Sequence, residues 1–302
     1  MILVTGGTGF LGRELVRQLV KHDEKVRVLT RKKVTLPYVE SVYADITNPD
    51  SLDDAMKGVD IVYHLAALVN HFAPESLLEL VNVQGSRNVI LAAIKNKVKR
   101  VIYCSSVSSE RGGGSTVYGK SKIKAEKEVL KYANKIPIIV IRPGPMYDRE
   151  RKMLRWPVKI AKYFHIFGFL VPDTTIHIAS RNNVVKAMLL AKKRGIPGHI
   201  YTVCDAEPVK RTLLSSIICK KARALPIPIP YHLIYPFLYV SALFSETLKK
   251  IFKIRPFLTR GYIRVLMRER RYDISLAKKE LGYKPNSTKK DFADAVESIL
   301  RS

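Results

Sequence analysis

A glycine-rich turn near the start of the chain constrains its fold more than any other feature. The apolar run Ile2–Thr5 leads into glycines at positions 6, 7, 9 and 12, and a segment with helical spacing of apolar residues follows. Glycine tolerates a positive φ and lets the backbone approach a ligand closely, and the N-terminus of the next helix presents free N–H groups to phosphate oxygens. The pattern therefore predicts a dinucleotide-binding turn that uses Gly6, Gly9, Phe10, Leu11 and Gly12.

Short apolar runs alternate with helical patterns throughout the first half of the chain. Further strands are expected at 26–29, 39–44, 60–65, 100–104 and 136–141, with helices at 51–57, 75–95 and 117–133. Such alternation predicts an α/β fold, a Rossmann-type doubly wound parallel sheet. We expect residues 1–145 to form an NAD(P)-binding domain to which a helix near 183–194 returns, and residues 146–302 to form a smaller substrate-binding region.

The end of the second predicted strand carries cations where an NAD site usually carries an acid. Thr30 is followed by Arg31, Lys32 and Lys33, with no carboxylate to accept a hydrogen bond from the ribose 2′-hydroxyl. The Arg31 guanidinium could instead form a forked, charge-assisted pair with a 2′-phosphate. This favours NADP as the cofactor, with NAD as the alternative. The other interpretation is that the three cations are solvated loop charges.

Two further segments follow strands at the same edge of the predicted sheet. Asp45 and Ile46 come after the third strand, where Asp45 could accept a hydrogen bond from the adenine amino group. Leu65, Ala66 and Ala67 come after the fourth strand and offer small side chains where the backbone passes the ribose and nicotinamide. These five residues are predicted to complete the cofactor site.

A tyrosine and a lysine stand four positions apart on a predicted helix. Tyr118 and Lys122 would share one helix face, and an ammonium beside a phenol favours the phenolate form. Such a pair could move the proton that accompanies hydride transfer at a carbonyl carbon. Ser106, in the Ser-Ser pair after the fifth strand, supplies a second hydroxyl at the edge of the sheet where ligands bind.

Together these motifs resemble the extended short-chain dehydrogenase/reductase superfamily. The matching pieces are Thr5 to Gly12, Asp45, His64 to Ala67, Asn82 to Asn88, Ser105-Ser106, Tyr118 with Lys122, and Arg142 to Gly144. The resemblance implies Ser106, Tyr118 and Lys122 as the catalytic triad, with Lys122 also binding the nicotinamide ribose. It further implies that Asn82 braces the central helix and that Pro143 and Gly144 lie near the nicotinamide. Homodimers built from two long helices are common in this superfamily, so we expect an interface from 75–95 and 117–133.

The substrate class depends on where the chain departs from the nucleotide-sugar branch. Those enzymes often carry Asn and Gly where this chain has Pro145 and Asp148. This favours the hydroxysteroid-dehydrogenase and dihydroflavonol-reductase branch, hence interconversion of an alcohol and a ketone on an apolar or lipid-like substrate. A nucleotide-sugar epimerase, dehydratase or reductase is the alternative, because basic residues in the second half could bind a diphosphate.

Composition limits the remaining function classes. The formal net charge is +27, and most of the excess lies after residue 150, which suits a phosphate-bearing substrate, an anionic membrane or a solvated surface. Nucleic acid is a less favoured partner, because the Ser, Tyr and Lys set is intact.

The three cysteines lack metal-site spacing, and no metal site is predicted. No signal segment is recognised, so a cytoplasmic protein is expected.

One long segment contains no charged residue. Positions 224–245 could by length span a bilayer, but four prolines interrupt the segment and Tyr231, Tyr235 and Tyr239 fall on one helical stripe. An apolar lid over the substrate and a helix resting on a membrane are the two favoured alternatives. Basic residues flank the segment on both sides, and an anionic bilayer would attract them, so a peripheral contact is predicted over 224–255.

Overall fold

A central sheet of seven strands organises the first part of the chain. The computed structural model describes residues 1–32, 36–110, 113–171, 174–252, 256 and 258–302. The strands are β1 Ile2–Thr5, β2 Val26–Thr30, β3 Glu40–Tyr43, β4 Ile61–His64, β5 Arg100–Cys104, β6 Ile138–Pro143, β7 Met146–Tyr147, β8 Ile166–Val171, β9 Thr175–Ile176, β10 Ala179–Ser180, β11 Ile200–Val203, β12 Val209–Lys210 and β13 Leu225–Pro230. The helices are α1 Phe10–Lys21, α2 Leu52–Met56, α3 Glu75–Leu78, α4 Gly85–Lys95, α5 Val117–Leu130, α6 Lys152–Phe164, α7 Arg181–Arg194, α8 Arg211–Ala222, α9 Tyr231–Phe252, α10 Arg260–Met267, α11 Ser275–Leu281 and α12 Thr288–Leu300.

The strand order of the sheet is β11-β6-β5-β4-β1-β2-β3. β1 lies between β2 and β4 and pairs in parallel with both, so that Ile2 is level with Val26 on one side and Ile61 on the other. From β1 the chain adds β2 and β3 on one side, and it then crosses to the other side of β1 to form β4, β5 and β6. The crevice between β1 and β4 is therefore the topological switch point, where ligands bind in open α/β sheets. The Rossmann-type doubly wound sheet predicted from the sequence is confirmed.

The described residues form two compact units. The first comprises residues 1–143, 185–202 and 275–283, and the second comprises residues 144–184, 203–274 and 284–302. In the first unit, apolar strand residues such as Leu3, Val62 and Val101 pack against Val89 and Ile90 of α4. The strands read as nearly continuous apolar runs because helices cover both faces of the sheet.

The second unit is built mainly from helices and short two-stranded sheets. Its core lies between α6, α8 and α12, where Leu154 and Val158 pack with Ile218, Phe292 and neighbouring apolar residues. β13 pairs in parallel with β8, and prolines occupy alternate positions of β13, as an edge strand that donates few hydrogen bonds allows.

The structure resolves two segments whose form the sequence left open or predicted differently. The segment 75–95 is divided into α3, a π-helical turn at Glu79–Gln84 and α4. The uncharged segment 224–245 contributes β13 and the first part of α9, in which the rings of Tyr231, Tyr235 and Tyr239 lie next to one another as their spacing predicts. Among the described residues, no helix is both long enough and apolar enough to span a bilayer.

Candidate functional site

The glycine turn between β1 and α1 has the geometry of a phosphate cradle. Gly6 has a φ of +71°, and a Cβ atom there would lie 2.8 Å from the backbone nitrogen of Ala66. A Cβ atom at Gly12 would overlap the carbonyl oxygen of Gly6. The N-terminus of α1 follows directly, with Gly9 in extended conformation at the cap position and no capping side chain. The positive end of the α1 helix dipole therefore lies at the turn, where it favours an anion.

A cavity of about 310 Å³ opens beside this turn in the first unit. Eight predicted cofactor residues line the cavity: Gly6, Gly9, Arg31, Asp45, Ile46, Leu65, Ala66 and Ala67. Arg31 is exposed at its rim, while Asp45 is partly buried and accepts hydrogen bonds from the backbone nitrogen and hydroxyl of Thr47 at 2.9 and 2.8 Å. Lys33, the last of the three consecutive cations, lies outside the described residues. The close glycine turn and the lining residues fit a dinucleotide.

Six further residues that line the cavity were not predicted. They are Thr8, Leu29, Thr30, Leu68, Leu77 and Val81. Thr8 lies inside the glycine turn, and Thr30 and Leu68 directly adjoin predicted residues, so their positions in the sequence could have indicated them. Leu77 and Val81 come from the helical segment after β4, whose approach to the sheet has no local sequence signal.

The cavity floor is braced by a buried histidine. His64 at the end of β4 is fully buried, with Nδ1 at 2.7 Å from Oγ1 of Thr5 and Nε2 at 3.0 Å from Oγ of Ser86. Oγ1 of Thr5 also accepts a hydrogen bond from the backbone nitrogen of Ala66 at 3.2 Å. Burial, together with the nearby Lys122 charge, lowers the pKa of His64 to about 3. The imidazole is therefore neutral and links β4 by hydrogen bonds to Thr5 of β1 and Ser86 of α4.

Ser106, Tyr118 and Lys122 lie close together in the first unit. Tyr118 and Lys122 lie one turn apart on α5, whose N-cap Thr116 accepts a hydrogen bond from the backbone nitrogen of Gly119 at 3.1 Å. The Ser106 hydroxyl lies near enough to the phenol of Tyr118 to act on its pKa. Ser106 lies just after β5, and its Oγ also accepts from the backbone nitrogen of Ser108 at 3.1 Å. The sheet edge and the helix thus bring the three predicted catalytic side chains to one place.

Burial determines the protonation of the Tyr118 phenol. Desolvation raises the pKa of Tyr118 above its ordinary value of 10, while the Lys122 ammonium and the Ser106 hydroxyl act in the opposite direction. The spacing of the pair predicts that the lysine favours the phenolate. The Lys122 charge does act to lower the pKa of Tyr118, but burial raises it by more. The phenol is therefore protonated at neutral pH and can act as a hydrogen-bond donor and as an acid.

Lys122 is held by groups that sequence reasoning did not single out. Its Nζ donates hydrogen bonds of 3.0 Å to Oη of Tyr103 and 3.0 Å to the carbonyl oxygen of Cys104. Burial acts to lower the pKa of Lys122, but the surrounding Tyr103, Tyr118 and Cys104 raise it, and the net shift is upward. Tyr103 precedes Cys104 on β5. Side chains alternate between the two faces of a strand, and this alternation is the only sequence signal that could have placed Tyr103 on the face that α5 covers.

Asn82 connects the cavity to the catalytic helix. Its Oδ1 accepts from the backbone nitrogen of Leu68 at 2.7 Å, and its Nδ2 donates to the Leu68 carbonyl at 3.1 Å and to Oγ of Ser121 at 2.9 Å. Asn82 lies in the π-helical turn and is buried. Insertions of this kind in helices are frequent at functional sites, where they redirect a side chain.

The other predicted cofactor residues are placed outside the cavity. Phe10, Leu11 and Gly12 form the first turn of α1, and Pro143 ends β6. Gly144 belongs to the second unit, where its backbone nitrogen donates to the carbonyl of Val203 at 2.9 Å. Among the described ranges, no cluster of histidine, cysteine and acidic residues could hold a metal ion.

Apolar residues surround the phenol of Tyr118. Tyr118 packs with Ala73 and Leu78 in a small cluster that also includes the partly buried Leu68 and Val117. His71 lies edge-on to the Tyr118 ring, with centroids 5.1 Å apart. Leu68 also lines the cavity, so the apolar cluster and the dinucleotide cavity share a wall.

Comparisons with known proteins identify the family of the chain. A model of the NAD dependent epimerase/dehydratase family matches residues 2–165. Sterol demethylase protein B of Methylococcus capsulatus is 31% identical, with 97% of this chain and 96% of that protein covered. The decarboxylating sterol-4-alpha-carboxylate 3-dehydrogenase ERG26 of Candida albicans is 26% identical, with 94% and 93% covered. The crystal structure of gox2253 gives a TM-score of 0.80 at 28% identity, with 100% of this chain and 98% of that chain covered.

The matches cover the parts of the chain that form the site. The family match contains the whole segment that carries the cavity, Ser106, Tyr118 and Lys122. The likeness to Sterol demethylase protein B extends over nearly the full length of both proteins. The chain belongs to the NAD-dependent epimerase/dehydratase family and is an NAD(P)-dependent enzyme of the extended short-chain dehydrogenase/reductase superfamily.

Proposed function

We propose that the protein is an NADP-dependent oxidoreductase that interconverts an alcohol and a ketone on an apolar, lipid-like substrate. The observation that carries this proposal is the setting of Tyr118, whose phenol lies near the Ser106 hydroxyl and whose ring lies in an apolar cluster. A hydroxyl or carbonyl group at the phenol would meet polar partners, while the body of the substrate would contact the partly buried apolar members of the cluster, Leu68 and Val117. The names of the relatives, a sterol demethylase protein and a sterol-carboxylate dehydrogenase, support a sterol-like substrate.

The chain's own residues account for the proton transfer. NADP(H), when bound, would supply or accept the hydride. Ser106 would hold the substrate oxygen, and Tyr118, protonated at neutral pH, would donate its proton to that oxygen as the carbonyl is reduced. Lys122 would stabilise the phenolate left on Tyr118 by its positive charge, and Tyr103 holds the ammonium in position. In the oxidative direction the same groups would accept the proton.

The preference for NADP rests on Arg31. The cavity wall at the end of β2 consists of Leu29, Thr30 and Arg31, and Asp45 supplies the only carboxylate among the described residues that line the cavity. Arg31 is exposed at the rim, where it could form a forked contact with a 2′-phosphate. We therefore propose Gly6, Gly9, Phe10, Leu11 and Gly12 for the pyrophosphate, and Arg31 for the adenosine 2′-phosphate.

Nucleotide-sugar chemistry is the second candidate because the second half of the chain is strongly basic. The two positions that depart from that branch have other uses in the second unit. Pro145 accepts a hydrogen bond through its carbonyl from the nitrogen of Ala179 at 3.0 Å, and Asp148 forms an ion pair with the buried Arg181 at 3.3 Å. Pro145 lacks the side-chain amide of the asparagine in the nucleotide-sugar pattern, and Asp148 has a side chain where that pattern has glycine. Both differences favour the oxidoreductase.

The deciding experiment combines a substrate panel with one substitution. We expect NADP(H)-dependent turnover of hydroxysteroids or ketosteroids and no binding of UDP to the cofactor-loaded protein. Tyr118→Phe removes the proton donor, and the rate should fall by about a hundredfold or more while NADPH still binds. Tyr43→Phe, at an exposed tyrosine of β3, is the matched control and should keep full activity. Tight UDP binding with turnover of a UDP-sugar would replace the proposal by the second candidate.

Two assembly features belong to the same proposal. An apolar alcohol or ketone partitions into a bilayer, so a cytoplasmic protein in peripheral contact with a membrane would meet such a substrate at its source.

A homodimer through the segments 75–95 and 117–133 is also proposed. The three glycines at 112–114, shortly before Tyr118, also suggest a flap over the substrate. Gly113–Ser115 form a short helical turn, and Gly112 lies outside the described residues.

A further inference from the structure

Helix α6 of the second unit is apolar on two faces. One face is buried, with Leu154, Val158 and Ala161 packed into the core formed with α8 and α12. The other face carries Met153, Trp156, Ile160, Tyr163 and Phe164 toward solvent. Met153, Trp156 and Tyr163 are 75%, 64% and 68% exposed. A surface helix normally has one apolar stripe, so a second stripe needs an apolar partner or medium.

The exposed apolar surface continues from α6 into the β8–β13 sheet. Phe164, the last residue of α6, and Ile166, the first of β8, are both exposed. Leu225 of β13 pairs in register with Ile166, is 70% exposed, and donates its backbone N–H to the carbonyl of His165 at 2.7 Å. The exposed residues thus adjoin one another across the helix end and both strands.

Helix α9, which follows β13 directly, extends the same pattern. Leu233, Phe237, Val240 and Phe244 recur with helical spacing and are 66%, 79%, 64% and 60% exposed. Tyr231, Tyr235 and Tyr239 form a separate row of adjoining rings. Exposed Trp and Tyr beside aliphatic residues is the composition that proteins place at the boundary between headgroups and acyl chains.

The segments that form this surface carry charges of only one sign, although Lys221 pairs with Glu297 of the neighbouring α12 at 2.8 Å. No aspartate or glutamate occurs in 151–171 or in 208–245, the segments that supply α6, β8, α8, β13 and the exposed first part of α9. Lys152, Arg155, Lys159 and Lys162 lie on α6 itself, and Lys220, Lys221 and Arg223 lie at the end of α8. Basic residues around exposed apolar groups complement an anionic lipid headgroup layer. A second copy of the chain would instead place like charges against one another.

We propose that α6, the β8–β13 sheet and the exposed face of α9 form one docking surface for an anionic lipid bilayer. The apolar side chains enter the interfacial layer while the lysines and arginines contact lipid phosphates. This inference deepens the membrane contact in the proposed function by naming its surface and lipid charge. It rests on the exposed residues of the second unit, and it is tested by vesicle binding without any substrate.

Trp156 provides an intrinsic probe, because the chain has one tryptophan and its side chain is 64% exposed. The purified full chain is mixed with vesicles of phosphatidylcholine alone or of phosphatidylcholine with phosphatidylglycerol, and binding is followed by flotation and by Trp156 emission. We expect flotation with the phosphatidylglycerol vesicles, a blue shift of Trp156 emission, and quenching by lipids brominated in the acyl chains. High salt should weaken the binding.

Substitutions separate the surface from a general charge effect. Arg155→Glu with Lys159→Glu should weaken vesicle binding by about tenfold or more, since each basic residue near an anionic surface contributes about 1 kcal/mol. Phe237→Ser with Phe244→Ser should also weaken it and should leave NADPH binding unchanged. Lys135→Glu and Tyr43→Ser, exposed positions in the first unit, are the matched controls.

Three outcomes would overturn the proposal. Trp156 emission could be indifferent to every vesicle, the controls could weaken binding as strongly as the surface variants, or light scattering could show a self-associated chain that Phe237→Ser with Phe244→Ser disperses. The last result would assign the surface to a second copy of the chain. Each outcome is read without substrate, so it leaves the proposed chemistry to be judged by turnover and by Tyr118→Phe.

Discussion

At the scale of single residues, the cofactor preference depends on Arg31. This side chain stands where an acid would bind the ribose 2′-hydroxyl, and it lines the cavity beside the glycine turn. Replacing it by aspartate removes the proposed phosphate contact and introduces repulsion. We expect Arg31→Asp to lower the ratio of kcat/KM for NADPH over NADH by about tenfold or more, since each 1.4 kcal/mol of lost binding is a factor of ten. Lys32→Ser, at the exposed neighbour, should leave the ratio nearly unchanged; an equal effect of both variants would contradict the role of Arg31.

A second residue, Asp205, should give the stability of the protein a measurable pH dependence. Its carboxylate is buried and accepts hydrogen bonds from Tyr147 Oη at 2.8 Å, the Ser180 nitrogen at 2.7 Å and Asn183 Nδ2 at 2.8 Å. Burial raises the pKa of Asp205 from 3.8 to about 6 despite these bonds. The folded state therefore binds this proton more tightly than the unfolded state, and stability falls as pH rises from about 4 to about 6.

Asp205→Asn tests this dependence, because asparagine resembles the protonated acid. From the shift of the pKa, the free energy of unfolding of the variant relative to the natural protein should increase by roughly 2 kcal/mol between pH 4 and pH 7. Thermal unfolding at both pH values measures this. Asp60→Asn is the control, since the pKa of the exposed Asp60 is lowered to about 2 by Lys99 and the N-terminus, and its effect should be nearly constant over that range. A constant effect of Asp205→Asn would show that the carboxyl ionises normally.

Local spacing predicts which residues carry the chemistry but not the environment that sets their protonation. The i and i+4 positions of Tyr118 and Lys122 are enough to place both side chains on one helix face. The upward shift of the Tyr118 pKa arises from burial among Ala73, Leu78 and their neighbours, which come from another part of the chain. The contact of Lys122 with Tyr103 likewise depends on how α5 packs on β5.

At the scale of elements, the interrupted helix between α3 and α4 matters most for the site. A continuous helical pattern over 75–95 predicts one helix, and nothing in that periodicity marks the π-helical turn at Glu79–Gln84. The inner strands of the central sheet are easier to predict, because they are short apolar runs and a buried parallel sheet tolerates little else, whereas the edge strand β3 is largely exposed. The uncharged segment is harder because β13 and the start of α9 share one apolar composition, and only its pairing with β8 distinguishes the strand.

The interrupted helix gives a prediction of its own. Asn82→Ala would leave the Leu68 backbone groups and Ser121 without the hydrogen bonds that join the cavity wall to α5. Unsatisfied buried groups cost about 1 to 3 kcal/mol each, so we expect a lower Tm and NADPH affinity weakened by about tenfold. Gln84→Ala removes an exposed amide from the same turn and should change neither quantity. If a folded Asn82→Ala variant bound NADPH with unchanged affinity, the hydrogen bonds of Asn82 would have no role in cofactor binding.

At the scale of the whole molecule, charge and apolar exposure are unevenly distributed. The sequence already places most of the excess positive charge after residue 150, but it does not indicate that α6 buries one apolar face and exposes another. That distinction depends on the packing of α6 against α8 and α12, which local periodicity does not record. The two compact units therefore differ in more than topology: one carries the cavity beside the glycine turn, and the other carries the apolar and basic surface.

The last prediction concerns the assembly of two chains through the first unit. Leu80 in the π-helical turn and Leu91 on α4 are each 40% exposed within the segment predicted to form the dimer interface. An interface that buries them gains apolar contact, and a charge placed there would be desolvated without a partner. Light scattering should therefore report a dimer that Leu80→Glu with Leu91→Glu converts to a folded monomer. Leu276→Glu, on α11 and 39% exposed, is the matched control and should remain dimeric. A natural protein that is monomeric at high concentration, or a dimer indifferent to both leucines, would place the interface elsewhere or remove it.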